Sequence, residues 1–129
     1  GRAMVAGFSR GCAVVMALCW WVWPVAAHHG GDVEWADKAV GPITGTATKF
    51  AFQFPHVFFE MNVAEGGSTA VWTITTRWTP TILRDHGWSR ESIKAGDMVT
   101  VTYLPHVDKP HIGQMQTIEV NGRSLPLSF

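Results

Sequence analysis

The side chains able to do chemistry are few in kind. Six histidines are present, His28, His29, His56, His86, His106 and His111. The two cysteines, Cys12 and Cys19, both lie in an apolar run near the N-terminus. Thiolate ligation and a disulfide framework are therefore excluded from the rest of the chain. Imidazole clusters without thiolates suit copper(II), zinc or nickel. His28, His29, His56, His106 and His111 are accordingly the candidate metal ligands, with copper or zinc the candidate ion. Cleavage after Ala27 would add a feature, because the new α-amine and the His28 ring can chelate one ion together. An α-amine titrates near about 8 and can deprotonate to bind. His56 or His29 would then complete a T-shaped copper site. His86 falls at a predicted helix C-terminus, where the dipole favours a cation, and reads as a cap.

Enzymatic constellations are missing. There is no Gly-x-Ser-x-Gly elbow, no His-Glu-x-x-His helix, no phosphate loop and no cysteine nucleophile beyond the N-terminal run. Glu60 or Asp108 beside His56 or His111 would form at most an acid–base pair, an arrangement that small β domains commonly use as a surface salt bridge. No catalytic residue is assigned, and a role in catalysis is expected only as an accessory subunit. Aromatic residues carry the other signal. Phe50, Phe52, Phe54, Phe58, Phe59, Trp72 and Trp78 exceed what one core face of a small domain needs. If they point outward, Phe50, Phe52 and Phe54 make an apolar strip for a protein partner, a lipid or an apolar small ligand. The expected ligand or partner surface is Phe50, Phe52, Phe54, Phe58 and Trp78.

The 129 residues suffice for one domain. Arg10, the apolar segment Gly11 to Val22 and the small residues Val25-Ala26-Ala27 have the order of an export signal. Residues 1–27 are thus expected to be a signal peptide, which makes the mature protein periplasmic or secreted. The alternative is a retained anchor. Gly11 to Ala27 is near the lower limit of about 17 residues for a bilayer-spanning helix, and Trp20, Trp21 and Trp23 sit where an interfacial belt would lie. Residues 11–27 would then hold the domain at the inner membrane, facing outward. Of the ten basic residues, Arg2 and Arg10 precede Ala27, whereas all ten acidic residues follow it. The exported part is net acidic, and from that no nucleic acid is expected among its partners.

These residues must be positioned by strands. Residues 28–41 read as an extended arm in which Trp35 packs onto the domain, and residues 42–129 as the domain itself. Ile43 to Gln53 alternates, with Ile43, Gly45, Ala47 and Lys49 opposite Thr44, Thr46 and Thr48, and Gly45 predicts a bulge or bend. Phe54-Pro55-His56 breaks this strand, since proline cannot donate to a ladder. Val57 to Val63 and Ala70 to Arg77 alternate again. Thr79 then predicts an N-cap, Pro80 a first helical position and Gly87 a left-handed C-terminus. Met98 to Leu104 and Gln114 to Val120 complete five strands, and Asn121-Gly122 predicts a tight hairpin into a short edge piece. The predicted class is mainly β. Strand-strand-strand-helix-strand-strand after an N-terminal hydrophobic helix is the order of a small five-stranded OB-like barrel. In that architecture the loops after strands one and four frame the binding face, which would bring His56, His106 and His111 together.

Ala26-Ala27-His28-His29, Ile43-Thr44-Gly45-Thr46, Phe54-Pro55-His56-Val57, Trp72, His86-Gly87-Trp88 and Lys94-Ala95-Gly96-Asp97-Met98-Val99-Thr100-Val101 occur in that order. In these motifs the chain resembles DUF6152, a family of small exported bacterial proteins of unknown function. The resemblance covers nearly all of the chain after Ala27. It departs at Phe54, where family members tend to have Asn. It implies an exported β domain and brings no activity with it. Two readings follow. One is a binding or accessory protein, in one form a subunit of a membrane complex, with an unknown ligand. The other is a periplasmic copper or zinc binder.

Overall fold

The computed structural model describes residues 34–129. The expected leader or anchor, Cys12, Cys19, His28, His29 and the first part of the arm lie outside them. Among the described residues no helix is long and apolar enough to cross a membrane.

Six strands and one short helix follow in order: β1 Val40–Ala51, β2 Phe58–Glu65, β3 Ser68–Thr75, α1 Pro80–Asp85, β4 Met98–Pro105, β5 Ile112–Val120 and β6 Arg123–Leu125. They form one mainly antiparallel sheet in the order β3-β2-β1-β4-β5-β6. β3 also pairs in parallel with β5, through Thr73 with Ile112, Ile74 with Gly113 and Thr75 with Gln114. The helix lies between β3 and β4 in sequence, as expected. Thr79 caps it by accepting from the Ile82 N–H at 3.3 Å, and Gly87 adopts a φ of 96° just beyond its end. The predicted tight hairpin joins β5 to β6, with Asn121 and Gly122 both at positive φ.

The alternation read from sequence sets the core. Val57, Phe59, Met61 and Val63 are buried, and so are Ile74, Val99, Val101 and Tyr103. Leu83 from α1 with Trp88 and Ile93 beyond it complete the same cluster. β1 breaks the rule. It pairs with β4 from Val40 to Thr46 and with β2 from Thr46 to Ala51, so one strand serves two neighbours. Its register against β2 slips between Ala47 and Lys49, which leaves Thr48 as the extra residue of a bulge. One inserted residue exchanges the faces of everything after it. Phe50 therefore lies opposite Phe59 and packs on the core, where unbroken alternation would have put it with Thr44 and Thr46.

This corrects the expected apolar strip. Phe52 is only 4% exposed, and its ring meets that of Phe50 at 5.8 Å and the Arg84 guanidinium at 5.4 Å. Trp78 is half-buried and donates its indole N–H to the Leu127 carbonyl at 3.2 Å. Phe58 is half-buried under the Lys49 ammonium, and only Phe54, at 65%, is well exposed. The sequence predicts a bulge or bend at Gly45, and the bulge falls at Thr48. Gly45 instead marks a close approach of backbones, because a Cβ there would collide with the Asn62 carbonyl oxygen.

A turn at Lys94–Asp97 locks the bulged part of β1. Ala47 donates to the Asp97 carbonyl and accepts from the Gly96 N–H, both at 2.8 Å. The Asp97 carboxylate accepts from the Lys94 N–H at 2.8 Å and from the Asn121 amide at 3.1 Å. These bonds, the backbone one foremost, hold its pKa below the usual 3.8. A depressed carboxylate contributes stability above its unfolded pKa and loses it as pH falls through the folded value. The urea midpoint is therefore expected to fall below about pH 4. Asp97→Asn should flatten that acid limb, and parallel limbs would refute the assignment. Phe52→Ala is expected to destabilise by about 3–5 kcal/mol, against about 0.5 kcal/mol or less for Phe54→Ala. Urea melts of the two variants check this directly.

Candidate functional site

The β1–β2 connection, the end of β3, the start of β5 and the β4–β5 loop meet where β3 and β5 pair. Between them lies a recess of about 340 Å³, lined by Glu34, Trp35, His56, Thr75, Thr76, Arg77, His106, Lys109, Ile112 and Gln114. β3 delivers Thr75 to its rim and Arg77 just beyond. β5 delivers Ile112 and Gln114 from the paired stretch itself. The Arg77 guanidinium carbon lies 4.8 Å from the centroid of the Trp78 ring, within reach of a cation–π attraction.

His106 organises the loop side. Its Nδ1 accepts from the backbone N–H groups of Asp108 and Lys109, each at 3.0 Å. A ring nitrogen that accepts must carry the lone pair, so in the neutral ring Nε2 bears the hydrogen. That Nε2 stands 3.9 Å from the Glu34 carboxylate, and the His106 side chain is 9% exposed. Trp35 pairs with His106 as an antiparallel bridge, and the two rings meet edge to face at 5.3 Å. Backbone bonds from Ala36 to Pro105 and from Val107 to Glu34 tie the chain before β1 to the same loop. Trp35 thus packs on the domain as the sequence led one to expect, and its partner is the β4–β5 loop.

His56 and His106 share the recess, as their loops predict. His111 does not line it. At a φ of 59° the chain turns, and the His111 Nε2 lies 3.3 Å from the Glu65 carboxylate with its ring 4.9 Å from that of Trp72. Trp72 donates its indole N–H to the other oxygen of Glu65 at 2.9 Å. The expected meeting of three imidazoles is corrected: His56 and His106 border one recess, and His111 instead contacts Glu65 and Trp72. Among the described residues no group of three or more His, Cys, Asp or Glu is placed to hold a metal ion. His86 donates through Nδ1 to the Ile82 carbonyl at 2.9 Å, in keeping with a cap. Burial pushes the Tyr103 hydroxyl pKa up, with the Glu65 charge adding to it.

Glu34, Thr75, Arg77, Lys109 and Gln114 were not singled out from the sequence. The one signal for Arg77 was its place, a cation at the exit of a strand just before a helix cap.

The family model for DUF6152, a family of unknown function, matches residues 17–115. The chain belongs to that family. No curated protein matches it. Among solved structures, the mitochondrial single-stranded DNA binding protein Rim1 of S. cerevisiae is similar, at 16% identity and a TM-score of 0.49. The match covers 67% of this chain and 95% of that one. The expectation of no nucleic acid is corrected by this neighbour, which binds single-stranded DNA. Net acidity alone is not a ground for exclusion.

The role given to His106 can be checked by hydrogen exchange. His106→Ala is expected to speed exchange of the Asp108 and Lys109 amides and to cost about 1–2 kcal/mol of stability. His111→Ala should leave those two amides as protected as before, which separates the two loop histidines.

Proposed function

We propose that this chain is a small exported binding domain, built as an OB-like barrel, that receives a small molecule or a partner's side chain in the recess beside His56 and His106. The observation that carries this reading is the convergence itself. Segments around positions 34, 56, 76 and 106–114 line one concavity that combines apolar surface from Trp35 and Ile112 with polar and charged side chains. At about 340 Å³ it falls at the lower end of small-molecule sites. The barrel assignment is supported by the parallel β3–β5 pairing, which links the two ends of the five-strand order. Export is supported by Arg10, the Gly11 to Val22 segment and Val25-Ala26-Ala27. The proposed role is binding or accessory, without catalysis by this chain alone.

The copper or zinc reading draws on the same recess, since His56 and His106 line it. It meets an obstacle at His106. A metal on Nε2 would displace that hydrogen, and moving it to Nδ1 would break both bonds to the loop backbone. The binding of an organic ligand needs no such rearrangement, and it is the reading preferred.

A fragment screen by backbone amide NMR tests this. Shifts are expected to cluster at His56, Thr75, Arg77, His106 and Gln114 for at least one class of small molecule. Gln114→Trp should fill the recess and abolish them while the fold's other resonances hold their positions. Shifts confined to other surfaces would refute the site.

A further inference from the structure

We propose that the recess selects an oxyanion, a carboxylate or phosphate carried by a small molecule, with Arg77 and Lys109 as its principal partners. This rests on the recess being the binding site, and it adds the chemical class of the ligand. The lining holds two cations, Arg77 and Lys109, against one carboxylate, Glu34. Among the described residues neither cation makes a salt bridge, so neither has its charge already matched by a carboxylate. The Glu34 side chain is 66% exposed and stands beside His106 at 3.9 Å.

The remaining groups add donors. In the tautomer that its two backbone contacts impose, His106 presents an N–H at Nε2. Gln114 brings an amide able to donate. Arg77 lines the recess, and a guanidinium matches the two oxygens of a carboxylate or phosphate in one plane. The lysine adds a compact charge whose backbone is fixed by His106. The recess lining thus carries two cations and further donors against one carboxylate. A cationic ligand would face Arg77 and Lys109 unpaired, and a neutral one would leave both unused.

Titration of the intact domain at constant ionic strength, followed by amide NMR, tests this with succinate, inorganic phosphate, succinamide and putrescine as probes. Succinate or phosphate should shift the Thr75, Arg77 and Gln114 resonances saturably, and whichever binds more tightly identifies the oxyanion. Succinamide and putrescine should leave them in place at the same concentrations. Combined Arg77→Gln and Lys109→Gln is expected to weaken the better anion about tenfold or more, whereas Glu34→Gln should strengthen it. Equal binding of succinamide, or undiminished anion binding by the double variant, would overturn the oxyanion assignment and leave the recess standing as a site. If no probe and no fragment moves recess resonances, the site reading falls as well. Tighter binding of an oligothymidylate than of phosphate, with shifts running along β2 and β3, would overturn the small-molecule assignment.

Discussion

Strand β1 pairs with two neighbours, and the rest of the sheet depends on how it does so. Its first half completes hydrogen bonds with β4 and its second half with β2. The two pairings meet at Thr46. The Thr48 bulge bends the strand just beyond that point, and Gly45 lets the β2 backbone approach just before it. The Lys94–Asp97 turn then clamps Ala47 on both its N–H and its carbonyl. The Lys-Ala-Gly-Asp segment that marks the family resemblance is therefore a structural brace for the bulge.

A second constraint is the meeting of β3 and β5. Only three residue pairs join them, and the strands separate beyond Thr75 and Gln114. The recess opens at that separation, bordered by both loops and by the chain before β1. Its walls are held by contacts that do not involve a ligand: the two backbone bonds on His106 and the Trp35 bridge. A site held in this way is ordered before it is occupied, which lowers the entropic cost of binding. On the far side of the same loop, Glu65 joins His111 and Trp72, tying the β2–β3 hairpin to the start of β5.

Tryptophan does much of the fastening. Trp88 donates to the Pro126 carbonyl at 2.7 Å and Trp78 to the Leu127 carbonyl at 3.2 Å, so two indoles secure the segment after β6. The aromatic richness of the chain is spent largely on such internal contacts. That explains why an excess of rings in the sequence did not become an exposed strip.

Residue order alone determined a great deal. Alternation identified the buried faces of β2, β3 and β4, because a strand with one wet face must repeat every two residues. Thr79-Pro80 and Gly87 marked the ends of the helix, and Asn121-Gly122 the hairpin, since those backbone shapes select those residues locally. The placement of His56 and His106 at one end followed from the order of the elements. What tertiary structure decided was everything that hangs on a single-residue offset or on a distant partner. The bulge falls at Thr48, a residue whose own type announces nothing, and it sends Phe50 inward. His111 contacts Glu65 and Trp72, some forty residues away in sequence, and does not line the recess with the other two. Arg77 and Lys109 border one recess only because β3 and β5 come together, and that pairing is long-range, with no local signature in either strand.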